Sequence, residues 1–294
     1  MSGFLVKFDS EETADILTTC LHWQKVLNLC YVICNKYRVM RSSPVTPAIV
    51  LRARPYGESD SIVSFLTEKH GKITGIAKGA KRSRKRFVNS LEPFSLVNLR
   101  FQDRPHSNLV FIVSADLLLG FKNLISSLEK IACASYMVEV TDGLIGDRDE
   151  NPLVFHLLKN SLDFLADRGA SPLVLTSFEL KLLRLTGYEP VLMHCKGCGK
   201  ERDDGLTNRW YFNPTEGGIV CEHCSRSKGE GLSIGVAALA ALADLQKGAG
   251  DLATSASVPS PVLEEIRFVL SRFIQFQIDR EIKSAPFLAK FRAL

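Results

Sequence analysis

The sequence predicts a multidomain α+β protein. It has an N-terminal OB-fold β-barrel over residues 47–120, then an all-α region over 121–294 with a four-cysteine zinc ribbon inserted at 191–228. Three observations predict it. Five short β-rich runs follow one another within about 75 residues, parted by turn residues, as in a small barrel. From residue 121 the apolar spacing changes to a helical period. Two Cys-x-x-Cys pairs, Cys195-Lys-Gly-Cys198 and Cys221-Glu-His-Cys224, then stand 22 residues apart.

Length and composition permit this. The chain has 294 residues, 46% hydrophobic and 23% charged, ordinary values for a globular protein of two or three domains. It carries no uninterrupted apolar run of about 18 residues, so no transmembrane helix is expected. No basic segment leading into an apolar stretch opens it, so no secretory signal is expected either. Four of its eight cysteines fall in the two pairs, and the others have no framework spacing, which points to a reducing cytoplasm.

Residues 1–46 stand apart. A helix over Ile16–Met40 is only partly periodic and lacks a strong cap. Cys20, Cys30 and Cys34 with His22 fit no common metal spacing. A short polar lead, Arg41-Ser-Ser-Pro44, precedes the first clear strand. We therefore expect this segment to be an extension and the natural chain to begin near Met40.

The strands are taken in order. Ala48–Leu51 is β-rich, Ser61–Thr67 alternates, and Lys72–Lys78 follows the turn at Gly71. Leu96–Phe101 and Asn108–Val113 complete the five. Residues 47–120 hold 12 Lys or Arg against 6 Asp or Glu, whereas residues 121–294 hold 20 against 22. The positive excess therefore sits on the barrel, where an anionic partner is expected. Six of the nine residues from Lys78 to Arg86 are basic: Lys78, Lys81, Arg82, Arg84, Lys85 and Arg86. They cannot enter a core, and their mutual repulsion predicts an extended loop. Phosphates would neutralise them and release counterions. Arg52 and Arg54 alternate on the first strand and so share a face. Phe65, Phe87, Phe94 and Phe101 are expected in the core rather than as base-stacking platforms.

The helices follow. Leu124, Leu128, Ile131, Ser135 and Val138 fall on one face. Asn151-Pro152 and Ser171-Pro172 each set a capping side chain before a proline at the first helical position. Leu158, Leu162 and Leu165 follow the first cap; Leu173, Leu180 and Leu183 follow the second, and Gly187 stops that helix. After the cysteines, residues 232–245 read as an Ala/Leu-rich helix and Lys247–Ser260 as a linker. A last helix over Pro261–Ile282 presents Val262, Ile266, Val269, Leu270, Phe273 and Ile274. Part of that face could stay open as a groove for a partner peptide.

Each cysteine pair can place two sulfurs on one side of a tight turn, and two such turns make a tetrahedron suited to Zn²⁺. Asn208–Phe212 reads as a strand between them, and Gly217-Gly218 as a turn. Four thiolates, Cys195, Cys198, Cys221 and Cys224, close the coordination sphere and predict one structural zinc ion. His194 and His223 are expected to be bystanders. Asp203-Asp204 and Glu264-Glu265 read as surface charge. No Walker A sequence, G-x-S-x-G or H-E-x-x-H is present, and we expect a binding protein and not an enzyme.

The order of these parts resembles the RecO family of bacterial recombination mediators, over residues 47 to about 288. The resemblance rests on Ala48–Leu51, Tyr56-Gly-Glu58 with Asp60, Thr67, Gly71, Lys78-Gly-Ala80 with the basic run, and Leu91-Glu-Pro-Phe94. It continues through Phe178-Glu-Leu180, Leu183, Gly187-Tyr-Glu-Pro190, Lys283-Ser284 and Phe287-Leu288. The resemblance implies a DNA repair and recombination protein of the RecF pathway. It would bind single- and double-stranded DNA, anneal complementary strands and, with RecR, help load RecA onto DNA coated by single-stranded-DNA-binding protein. The basic run and barrel, with Arg52 and Arg54, would hold DNA. The helical region would receive the acidic, Phe-ended tail of the single-strand binder, with Arg267, Arg272 and Lys283 as candidate contacts. The residues alone leave two other classes open. One is a DNA-processing enzyme; the other is a zinc-ribbon module docking protein or RNA in transcription or translation machinery.

Overall fold

Five strands close into a barrel because their inward residues are apolar and short turns link the first strand to the second and the second to the third. The computed structural model describes residues 43–83, 85–202, 209–228, 231–248 and 258–291. The expectations for residues 1–42, for Arg84, for Asp203-Asp204 and for most of the linker lie outside them. Pro44–Leu294 is one unit and Met1–Ser43 another.

The strands are β1 (Val45–Tyr56), β2 (Asp60–Thr67), β3 (Lys72–Ala77), β4 (Leu96–Gln102) and β5 (Val110–Leu119), closed in the order β1-β2-β3-β5-β4. All neighbours are antiparallel except β3 and β5, which run parallel and meet at Gly75–Val110 and Ile76–Phe111. A Cβ at Gly75 would lie 2.4 Å from Ile112 Cδ1, so the residue that closes the barrel must lack a side chain. Val50, Val63, Phe65, Leu99, Phe101 and Ile112 fill the interior. Alternate residues face out, and a bulge between Val50 and Arg52 resets the register so that Arg52 and Arg54 lie outside.

Part of the outer face of the barrel is apolar as well. Ile49, Leu51, Leu66 and Leu96 belong to the same buried cluster as the helices. Those helices are α1 (Leu128–Leu144), α2 (Pro152–Arg168), α3 (Pro172–Leu185), α4 (Glu222–Lys228), α5 (Val236–Lys247), α6 (Ser260–Ile278) and the short α7 (Ala285–Leu288). The caps are as the sequence predicts. Asn151 Oδ1 accepts from Val154 N and Ser171 Oγ from Val174 N, each at 3.2 Å. Leu158, Leu162, Leu165, Leu180 and Leu183 are buried, and Gly187 (φ +83°) ends the turn after α3.

Three readings change. The α1 face predicted to be buried is only partly so: Leu128 is exposed, while Cys133, Tyr136, Met137 and Val140 point into the core. Leu232–Ile234 is not helical. It forms β8, pairing with β6 (Trp210–Asn213) in a sheet completed by β7 (Gly218–Cys221). The last long helix stops at Ile278, where Asp279 turns left-handed (φ +50°), and this lets Ile282 fold back into the core.

Beside the apolar contact of barrel and helices, the two domains meet at Asp142, a side chain 10% exposed near the end of α1. Lys72 of β3 lies 3.5 Å away, Arg280 3.0 Å and Arg52 of β1 3.9 Å. Lys72 Nζ also donates to the Asp142 carbonyl at 2.8 Å. Removing the carboxylate takes one of two counter-charges from the largely buried Lys72, which keeps Asp147 at 3.6 Å, and the nearest one from the half-exposed Arg52 and Arg280. Asp142→Asn is therefore expected to lower stability by about 2–4 kcal/mol, measured as a lower urea midpoint against wild type.

Candidate nucleic-acid interface and metal centre

The basic run occupies the β3–β4 connection, on the rim of the barrel. Lys78, Lys81, Arg82, Lys85 and Arg86 are all exposed. The loop is not extended, however. Ala80–Arg82 forms a 3-10 turn, Arg86 Nη2 donates to the Lys78 carbonyl at 2.7 Å, and Arg86 N donates to Ser83 Oγ at 3.0 Å. Phe87 inserts into the barrel core and Arg86 stacks on its ring at 5.0 Å. Ala115 N donates to the Arg86 carbonyl at 3.0 Å, which pins the loop to β5. Local hydrogen bonds and one buried ring therefore outweigh charge repulsion that water already screens.

The two arginines of β1 part company. Arg54 is exposed, whereas Arg52 turns toward Asp142 at the mouth of a cleft between barrel and helices. That cleft, about 1150 Å³, is lined by Arg52, Arg54, Phe94, Phe121, Lys122 and Lys283 among others. Phe65, Phe87 and Phe101 are buried, and Phe94 is half-buried on the cleft wall. Sequence reasoning weighs only these phenylalanines as stacking rings and passes over Tyr56, although Tyr56 continues the two-residue period of Arg52 and Arg54.

Arg267, Arg272 and Lys283 do not form one site. Lys283 faces the cleft. Arg272 lies over Phe268 at 5.5 Å on the exposed side of α6. Arg267 lines a groove of about 880 Å³ walled by Leu263, Phe268, Pro286 and Phe291, with the buried Glu179 and Tyr136 behind it. Tyr136 Oη donates to Glu179 Oε1 at 2.7 Å, and Glu179 Oε2 has no hydrogen-bond partner. Burial pushes the Glu179 carboxyl above its ordinary value, and the Arg267 charge and the Tyr136 hydrogen bond only partly oppose this.

The four cysteines converge. Their Sγ atoms all lie within 4.8 Å of one another, and Cys198 and Cys221 Sγ are 3.8 Å apart. Tetrahedral thiolate ligation with bonds of about 2.3 Å requires sulfurs about 3.8 Å apart, so the donor set fits a metal ion. The backbone is shaped for it. Gly197 N and Cys221 N each donate to Cys195 Sγ at 3.3 Å. A Cβ at Gly197 would come within 2.9 Å of Cys224 Sγ, so glycine keeps the pocket between the knuckles clear. Burial pushes the Cys195 thiol up, but backbone N–H groups of Cys221, Cys198 and Gly197 outweigh it and bring it down to about 6. Burial and the neighbouring sulfurs push Cys224 up to about 12. Four adjacent thiolates thus need a shared cation to coexist. His194 and His223 are exposed and stand outside the cluster.

The module is held in place by the helices. Val191 N donates to the Gly217 carbonyl and Ile219 N to the Val191 carbonyl, at 3.0 and 2.9 Å. Phe212 of β6 packs edge-on against Phe273 of α6, ring centroids 5.3 Å apart. Cys195, Cys224, Trp210 and Phe212 share the helical core.

Fold and sites together define a class: an OB-like barrel with a cationic rim, set on a helical body that carries a four-cysteine centre. Comparison with known proteins places the chain within that class. The family model described as Recombination protein O N terminal matches residues 40–121, and that described as Recombination protein O C terminal matches 125–286. The chain is 36% identical over 240 residues to the DNA repair protein RecO of Anaeromyxobacter sp. (strain K), covering 82% of this chain and 93% of that one. It is 35% identical over 243 residues to the DNA repair protein RecO of Myxococcus xanthus, covering 83% and 96%. With that of Caldanaerobacter subterraneus subsp. tengcongensis it shares 31% over 247 residues, covering 83% and 97%. The chain belongs to the RecO family, whose role lies in DNA repair and recombination. Among the described residues, no helix is long and apolar enough to cross a membrane.

The raised carboxyl of Glu179 fixes the sign of a pH effect. In the folded state it holds its proton to higher pH than in the unfolded chain. Its contribution to stability is therefore fullest at low pH and declines as pH rises from the ordinary carboxylate range through the raised value. Glu179→Gln keeps an acceptor for Tyr136 and removes the titration. It is expected to flatten the fall in melting temperature with pH that wild type shows across that window.

Proposed function

We propose that the chain is a DNA-binding recombination mediator. On this reading it holds single- and double-stranded DNA on the barrel, anneals complementary strands, and with RecR helps load RecA onto DNA coated by single-stranded-DNA-binding protein. It breaks no covalent bond and works in the cytoplasm, on nucleoid DNA. The observation that carries the reading is the cationic loop, held in a fixed shape on the barrel rim. Annealing requires two polyanions to approach each other, and fixed cations screen their repulsion without reading their sequence.

We assign the Arg267 groove to the acidic, Phe-ended tail of the single-strand binder. Arg267 supplies a cation for a carboxylate, and Leu263, Phe268 and Phe291 supply apolar wall for an aromatic anchor, with Glu264 and Glu281 also on the lining. We also assign one structural Zn²⁺ to Cys195, Cys198, Cys221 and Cys224. It would hold the module's two knuckles together and supply no open coordination position. Cys195→Ser is expected to reduce bound zinc from one per chain to near zero, measured by elemental analysis, and to lower the melting temperature.

The main test is binding to a fluorescent single strand across a salt series. Alanine at Lys81, Arg82, Arg84, Lys85 and Arg86 should weaken binding and flatten the slope of log K against log salt by about 0.7 for each phosphate that is no longer neutralised. Unchanged affinity and slope would remove the loop from DNA binding.

A further inference from the structure

We propose that Tyr56 is a stacking platform for an unpaired nucleic-acid base, and that through it this surface distinguishes single strands from duplex. The inference rests on the reading of the cationic loop as a DNA site. Residues 47–120 contain six aromatics: Tyr56, Phe65, Phe87, Phe94, Phe101 and Phe111. The five phenylalanines are buried or half-buried, whereas Tyr56 is 53% exposed. It is the one exposed ring among these six.

Its neighbours are cationic along the strand and across the turn. The carboxylate opposite it, Asp60, accepts from Gly79 N and Ser59 Oγ, and the exposed Glu58 lies two residues on. After the bulge, β1 runs in unbroken register from Arg52 to Tyr56. Arg52, Arg54 and Tyr56 therefore alternate onto the same outer face, the first and last about 13 Å apart. Tyr56 also ends the strand, so it stands at the tip of the β1–β2 hairpin. That tip is tied to the cationic loop. Lys81 N donates to the Ser59 carbonyl at 3.0 Å, Lys81 Nζ to the Gly57 carbonyl at 3.1 Å, and Gly79 N to Asp60 Oδ1 at 2.8 Å. The hairpin tip that carries Tyr56 is thereby fixed beside Lys81, with Arg54 two residues back along the strand.

This arrangement selects a partner. Cations along the strand and across the turn draw a phosphate backbone past the hairpin tip. An unpaired strand can then lay a base on the ring, covering apolar surface on both partners. Within a duplex each base is already stacked above and below, so the ring gains nothing. The loop supplies affinity for any nucleic acid, and Tyr56 adds a preference for unpaired strands.

The test uses the full chain and three fluorescent probes of equal length: an oligothymidine, a strand of abasic residues and a duplex. Tyr56→Ala should weaken oligothymidine binding roughly tenfold and leave the abasic strand, the duplex and the salt slope unchanged. Tyr56→Ile keeps strand propensity without a π face and should match alanine, whereas Tyr56→Phe should bind as wild type. Wild-type oligothymidine binding by the Ala and Ile variants, with weakened binding by the five-alanine loop variant, would overturn the stacking role and leave the loop's standing. Unchanged binding by the loop variant would overturn the DNA site itself and the stacking role with it. Equal losses on all three probes would show that the ring supports the fold, and that too overturns the proposal.

Discussion

Asp142 sits near the end of α1 with cations from three parts of the chain around one nearly buried carboxylate. Lys72 comes from β3, Arg52 from β1 and Arg280 from the turn after α6. A carboxylate in that position would be costly alone, as would Lys72, but together they compensate, and Lys72 is fixed further by the Asp142 carbonyl. The meeting lies on the wall of the cleft and adds a polar tie to the apolar contact that Ile49, Leu51, Leu66 and Leu96 make with the helices. Arg52, half-exposed, leans toward this joint at 3.9 Å, while Arg54, two residues on, is exposed.

Rigidity recurs at both candidate sites. The cationic loop would be floppy if its charges alone governed it, yet Phe87 in the core and Ala115 on β5 hold its far end. The cysteine module would be too small to keep its shape alone. Its sheet instead lends Trp210 and Phe212 to the helical core, and the thiols close the other side. In each case a short polar segment borrows order from a neighbour with apolar residues to spare. Fixed charges lose little freedom when a polyanion arrives.

Features with local causes were legible in the sequence. The caps at Asn151 and Ser171 act within one turn, the strands declare themselves by alternation, and the cysteine pairs by spacing. The basic run needed only counting. Features with distant causes were not legible. Asp142 reads as an ordinary helical acid, because Lys72 is 70 residues before it and Arg280 is 138 after. Leu232–Ile234 continues smoothly into an Ala/Leu-rich helix and becomes a strand only because the edge of β6 is open to it. α1 defeats a search for one apolar face because it is buried on nearly all sides. Tyr56 was visible as a letter, but its value depends on five other rings being turned away.

The outward apolar face of the barrel bears on synthesis. Ile49, Leu51, Leu66 and Leu96 are covered by helices that follow them in the chain. The barrel therefore leaves the ribosome before its cover exists. Until α1 emerges and docks, a nascent chain carries a closed β-barrel with a bare hydrophobic flank, the kind of surface chaperones hold and aggregates recruit. A barrel cut free of its helices would keep that exposure permanently, so the two domains mature as one object.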